Sequence, residues 1–159
     1  MELIVVITLI SVMMAFALPR INTALFQSDR RAFSQWILLT ARSLKKKALS
    51  TGVSHILQVD LDNHRLRARP LLEPGPQSEN FGTESKARGR ELPDGFRLLD
   101  VQFAGGEMRE SGTTAVRFYK KGYCDRALIH LEDAAGRRIT YEFQPFLHQV
   151  RIHESYFSY

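Results

Sequence analysis

Residues 1–21 read MELIVVITLISVMMAFALPRI, and this stretch decides the fold. Glu2 opens a run of sixteen residues, Leu3 to Leu18, that carries no charge and is closed by Pro19-Arg20. An acidic charge at a bilayer centre costs about 2.5–3.5 kcal/mol even on lenient insertion scales. Each Ile, Val or Leu returns only about 0.3–0.6 kcal/mol, but more than half of the run is built from them. The segment therefore inserts as a whole and carries Glu2 with it. Ala15-Phe16-Ala17 imitates a secretory cleavage site, yet such a signal begins with Lys or Arg, and here Glu2 stands in that place. Sixteen uncharged residues also fall slightly short of the roughly twenty that span a bilayer.

Past Pro19 the apolar pattern becomes one-sided. Phe33, Ile37, Ala41, Leu44 and Ala48 recur at helical spacing, while Arg30, Arg31, Gln35, Arg42 and Lys45 are expected on the other faces. Lys45, Lys46 and Lys47 suit the C-terminal end of a helix, and Gly52 suits the residue just beyond it. Residues 1 to about 50 thus read as one helix near 75 Å long at about 1.5 Å per residue. Pro19 removes one backbone hydrogen bond and should kink it. The expected division is an apolar membrane half over 1–24, which the resemblance given below would place in a filament core, an amphipathic half over 25–52, and a globular β domain over 53–159.

From Val53 the period becomes two. Val53, His55, Leu57, Val59 and Leu61 alternate with Ser54, Ile56, Gln58 and Asp60, the pattern of a half-buried strand. Asp62-Asn63 reads as a hairpin turn into Arg65–Arg69. Residues 70–95, rich in Pro and Gly, read as a long loop. Strands are expected again near Phe96–Phe103, Thr114–Tyr119, Arg126–Glu132, Arg137–Phe143 and Leu147–His153. The fold class is α+β: a long N-terminal helix over an antiparallel sheet or two-sheet sandwich.

Length and charge fit that reading. The 159 residues suffice for one modest core beyond the helix. A net charge of +5 permits contact with nucleic acid, anionic lipid or an acidic protein and does not choose among them. The lone Cys124 excludes an internal disulfide and reads as a small half-buried side chain beside a turn.

Few residues invite chemistry. Asp60-Leu61-Asp62 beside His64 lacks the glycine and the closing glutamate of a calcium loop, so a hairpin turn is expected. His148 and His153 are five apart on opposite faces of one strand, which disfavours a shared metal. There is no nucleophile elbow and no phosphate-cradling glycine loop, so no catalytic, cofactor or metal residues are assigned and no enzyme is expected. Tyr141, Phe143, Tyr156, Phe157 and Tyr159 are expected to fill or edge the sheet. Arg65, Arg67 and Arg69, with Lys86, Arg88 and Arg90 in the loop, could contact phosphate. An alternating Arg face is more often a solvated edge strand that discourages aggregation. Glu2 has a physical role open to it, because a carboxylate buried in a stack of apolar helices requires a cation.

An apolar helix entered by Glu, a proline seventeen residues on, an amphipathic continuation and a β domain together resemble a type IV pilin or type II secretion pseudopilin. Residues 35–61 (QWILLTARSLKKKALSTGVSHILQVDL) and 118–152 resemble the H-type minor pseudopilins and their GspH/FimT-like relatives. By that family's spacing the mature start lies about three residues upstream of Met1. The resemblance implies that Glu2 pairs with the free α-amine of a neighbouring subunit and sets assembly register, while Pro19 lets the helix bend. It implies a structural subunit held in the bacterial inner membrane with its β domain in the periplasm. Its partners would be other major and minor pseudopilins, an inner-membrane assembly platform and, during maturation, a prepilin peptidase. No cofactor is implied, and nucleic acid is not expected. The alternative is a DNA-uptake minor pilin that uses the Arg65, Arg67 and Arg69 stripe.

Overall fold

The computed structural model describes residues 2–71, 88–133, 135–147 and 149–158, without the side chains of residues 2, 15–27 and 88. Two compact units are present, residues 1–35 and 36–159. The first is helical throughout its described residues. It is the N-terminal part of α1 (Glu2–Thr51), which passes through Pro19 with no break in its helical backbone.

The second unit holds the end of α1 and nine strands in two antiparallel sheets. β1 (His55–Asp60), β2 (Arg65–Pro70), β3 (Arg88–Glu91) and β6 (Thr113–Phe118) form a sheet of order β3-β2-β1-β6. β4 (Arg97–Phe103), β5 (Met108–Arg109), β7 (Ala127–Glu132), β8 (Arg138–Phe143) and β9 (Arg151–His153) form the other, in order β5-β4-β7-β8-β9.

Helix and sheets meet through their apolar faces. Ile37, Ala41, Leu44 and Ala48 are buried along α1 at the expected spacing. On the four-stranded sheet Leu57, Val59, Leu66, Val116 and Phe118 are buried. On the five-stranded sheet, Ile129 opposite Tyr141 and Leu131 opposite Ile139 put large side chains in register. Phe118 of one sheet and Phe143 of the other meet edge to face, with ring centroids 6.3 Å apart. Each buried Leu, Ile or Phe contributes about 1.5–3 kcal/mol, so these layers hold the unit together.

Several expectations need correction. Residues 70–95 are not wholly a loop: Pro70 ends β2, and Arg88–Glu91 form β3, paired with β2 from Arg65↔Glu91 to Ala68↔Arg88. The remainder of that stretch, 72–87, lies outside the described residues. In consequence β2 is an internal strand rather than an edge. Lys45 is not on the solvent side of α1; it is 8% exposed. It borders Leu44 on the buried stripe, and its ammonium is hydrogen-bonded to the loop after β8. Ile56 is buried although strand alternation turns it away from Leu57, while Val53 is exposed. Cys124 is buried rather than half-buried.

Candidate functional site

The first candidate is the N-terminal part of α1. From Leu3 to Met14 every large apolar side chain is 52–71% exposed, on all sides of the helix. The polar residues within the run need nothing from outside. Thr8 Oγ1 donates to the Ile4 and Val5 carbonyls at 2.9 and 2.8 Å, and Ser11 Oγ donates to Ile7 O at 2.8 Å. What remains is apolar surface far beyond the scattered exposure of an ordinary surface helix, and such surface marks a site of association. Its side chains satisfy themselves internally, so apolar burial is the only gain it offers a partner. The side chains of Glu2 and Pro19, assigned register and bending by resemblance, lie outside the described residues.

Among the described residues no helix is long and apolar enough to cross a membrane. The described apolar run covers about 18 Å at 1.5 Å per residue, against a hydrocarbon core of about 30 Å. The membrane-spanning reading of 1–24 is therefore not met by this run alone.

The second candidate is the polar face of the four-stranded sheet. Register places Arg69, Ile56 and Arg117 in one row across β2, β1 and β6, and Arg67, Gln58 and Ala115 in the next. Arg67, Arg69 and Arg117 are exposed, over the buried Ile56. Arg65 differs from its neighbours because it is ion-paired with Glu91 on β3. Arg90 lies opposite Leu66, hence on the other face of the sheet, and Lys86 is outside the described residues. Sequence alternation found Arg65, Arg67 and Arg69; it missed Arg117, which joins them only through pairing. The Asp60-to-His64 stretch is a turn, as expected. Asp60 Oδ1 accepts from Asn63 N and Oδ2 from Asn63 Nδ2, both at 3.0 Å, while His64 takes a left-handed φ of 49°. The Asn63 side-chain and backbone bonds hold the Asp60 carboxyl below its ordinary value, with Arg67 adding to the effect.

The third candidate is a buried polar cluster on the five-stranded sheet that sequence patterning did not single out. His130 sits within the apolar strand sequence ALIHLE of β7 and is wholly buried. Its Nδ1 lies 2.6 Å from Asp100 Oδ1, its Nε2 lies 2.7 Å from Phe157 O, and its ring stacks on Tyr156. The available signal was a histidine at a core position of a strand, which requires polar partners. Of the two histidines weighed as metal ligands, His153 instead faces Glu142 Oε2 at 3.0 Å, and His148 is outside the described residues. Tyr141 and Phe143 fill the core, Tyr156 and Phe157 stack on His130 and His153 over the face of the sheet, and Tyr159 is outside the described residues.

Buried thiol chemistry is suppressed. Burial pushes the Cys124 thiol up to about 11, and its Sγ is 3.3 Å from Gln144 O. The open depression bordered by His64, Phe96, Arg97, Glu132 and Asp133 has its charges already engaged, Arg97 with Glu132 and Arg137 with Asp133.

A helix whose C-terminal end packs on two antiparallel sheets, and which carries an exposed apolar run from Leu3 to Met14, defines the pilin-like α+β class. Two solved structures share this fold, both of the minor pseudopilin EpsH from the type 2 secretion system of Vibrio cholerae. One aligns at a TM-score of 0.58 and 14% identity over 82% of this chain and 97% of that one. The other aligns at 0.53 and 13% identity over 78% and 95%. No protein-family profile and no curated protein sequence matches this chain.

Proposed function

We propose that this chain is a minor pseudopilin: a non-enzymatic structural subunit at the tip or initiation complex of a type II secretion pseudopilus, supporting protein export across the outer membrane. The carrying observation is the helical run Leu3–Met14, apolar all round and more than half exposed at every large side chain. Such a rod is stable when neighbouring rods or lipid surround it, and a shared fold with EpsH supports the former in the assembled state. Residues 1–24 would be held at the inner membrane before assembly and in the filament core afterwards. Residues 25–52 carry the head, and 53–159 form a periplasmic domain that docks on sister pseudopilins. Prepilin peptidase and the inner-membrane platform would act on the chain during maturation and assembly.

Glu2 supplies register in this reading, because a carboxylate in a low-dielectric stack is tolerated only against a cation. Pro19 lacks the amide hydrogen that its turn of helix would otherwise use, and lets the rod bend as it packs. The test is Glu2→Leu in a cell carrying the secretion system. Incorporation into the filament and export should be lost while the head stays folded; normal assembly of the variant would refute the register role.

A second reading rests on the face that brings Arg67, Arg69 and Arg117 together: a type IV minor pilin that binds DNA for uptake. Affinity for duplex DNA that falls steeply with salt, and is lost in the triple alanine variant of Arg65, Arg67 and Arg69, would favour it. Absence of binding at low salt would remove it.

A further inference from the structure

The segment after β9 lies on the outer face of the five-stranded sheet, where polar contacts and ring stacking meet it. Register sets Asp100 of β4 opposite His130 of β7, and His130 opposite Thr140 of β8, and all three side chains are buried. Thr140 Oγ1 donates to Ser155 O at 2.7 Å, and His130 Nε2 is 2.7 Å from Phe157 O. Two backbone carbonyls, at alternate positions of the segment, are therefore read by the sheet. The intervening Tyr156 stacks on His130 with centroids 4.2 Å apart, and Phe157 stacks on His153 at 5.2 Å. The Tyr156 hydroxyl reaches Asp100 Oδ2 at 3.4 Å.

The proton count of this cluster is constrained. A carbonyl oxygen can only accept, so the Nε2 contact to Phe157 requires a hydrogen on Nε2. The Nδ1 contact to Asp100 at 2.6 Å requires a hydrogen as well, on either the ring or the carboxyl. Asp100 and His130 taken as one unit must hold two protons to serve both contacts, as imidazolium with carboxylate or as neutral ring with carboxylic acid. With one proton fewer, one of the two short contacts sets lone pair against lone pair in a buried site.

We propose that the outer face of the five-stranded sheet is a peptide-binding subsite, filled here by the chain's own Ser155–Phe157, whose hold requires the second proton of the Asp100–His130 pair. The ligand class is an extended peptide with two adjacent aromatic residues, recognised through carbonyls two positions apart. Other ionisable groups surround it. Arg138 of β8 lies 5.5 Å from the Tyr156 ring centroid, and Glu142 with His153 forms a neighbouring pair across β8 and β9. Burial and Asp100 push the Tyr156 phenol up, with Glu110 adding to the effect, so it remains a donor to Asp100 in mild base. The inference stands apart from the filament reading.

The test uses the full chain in detergent micelles. The carbonyl carbon resonances of Ser155 and Phe157 and the proton contacts between the Tyr156 and His130 rings, which report the seated segment, are followed from about pH 6 to about pH 9.5 beside the ring nitrogen resonances of His130. Both ring contacts should show hydrogens at the lower pH. The seated fraction should fall about tenfold, the worth of one hydrogen bond to a charged group, wherever the ring nitrogens report a lost proton. His130→Phe should lack the seated segment at every pH, and His153→Asn should leave the behaviour unchanged. A segment that stays seated in His130→Phe, that is indifferent to the hydrogens on the His130 ring, or that follows His153 instead overturns the proposal. A variant ending at His153, if folded, should bind acetyl-Glu-Ser-Tyr-Phe-Ser-Tyr about tenfold better at the lower pH. A folded variant that ignores the peptide overturns the peptide-site assignment, and the resonance measurement decides the matter if that variant does not fold.

Discussion

Lys45 Nζ donates to the backbone carbonyl of Pro145 at 3.1 Å, and to that of Leu147 at the same distance, tying α1 to the loop that follows β8. Both acceptors belong to a non-repetitive stretch, and Pro145 O accepts from Cys124 N at 3.3 Å as well, so the ammonium joins a backbone contact already present there. The ammonium thus joins two parts of the second unit that are a hundred residues apart in the chain.

Replacing Lys45 by Met keeps the aliphatic stem and removes both donors. Unfolding in urea should show a loss of about 1.5–3 kcal/mol, the range for hydrogen bonds to charged groups in partly buried sites. Lys46→Met and Lys47→Met, at exposed positions, should stay within about 0.5 kcal/mol of the parent. Equal effects at all three positions would mean that the Lys45 contacts contribute nothing particular.

Acid should unfold the head through Asp133 and Glu142. Burial alone would raise the Asp133 carboxyl, but the Arg137 backbone and side chain and the Ala135 amide hold it below its ordinary value. Glu142 is likewise raised by burial and lowered further by Gln144 and His153, with a net downward shift. A carboxyl lower in the folded than in the unfolded chain binds fewer protons when folded. Its stabilisation is complete above the unfolded value of about 4 and is lost as pH falls through the lower folded value. Melting temperature should therefore drop steeply below about pH 4, and Asp133→Asn and Glu142→Gln should each flatten that slope. A slope unchanged in both variants would exclude these carboxylates as its source.

Cys124 should be nearly inert while the head is folded. A thiol pushed up to about 11 by burial holds little thiolate at pH 8, and its surroundings restrict access. Alkylation by iodoacetamide should be slow in the native chain and rise by orders of magnitude in urea. Rapid native labelling would show that the region between β6 and β7 opens readily.

How far the fold could be read in advance depended on whether its determinants were local. The helix end was legible because Gly52, at φ 66°, sits just beyond Thr51, the last helical residue. Most strands were legible from alternation and turns, β7 and β8 within a residue of their expected starts, whereas the two-residue β5 has no alternation to read and β9 occupies only Arg151–His153 of the expected 147–153. β3 was not legible, because Arg88-Gly89-Arg90-Glu91 has no apolar alternation and is a strand only through pairing with β2. Lys45 was misplaced because helical periodicity ranks a lysine as polar, and the carbonyls that receive it lie far off in sequence. His130 and Arg117 were overlooked for the same reason: their partners, Asp100 and the β2 arginines, come from other strands. Of the proposed assembly surface, the exposed run Leu3–Met14 was legible in full from composition alone.

Two glycines with left-handed backbones separate conformational from steric cost. Gly52 has φ 66° with open space where a Cβ would stand, whereas Gly122 has φ 89° and an added Cβ would meet Leu49 Cδ2 at 3.0 Å. Gly52→Ala should cost only the left-handed penalty, about 1–2 kcal/mol. Gly122→Ala incurs that penalty and also pushes on Leu49, whose exposed side chain can yield in part. Thermal melts should rank the losses Gly122→Ala above Gly52→Ala. Combining Gly122→Ala with Leu49→Ala should bring the first back toward the second, because the obstructing methyl is gone. If the double variant shows simple additivity, Leu49 is not what confines residue 122.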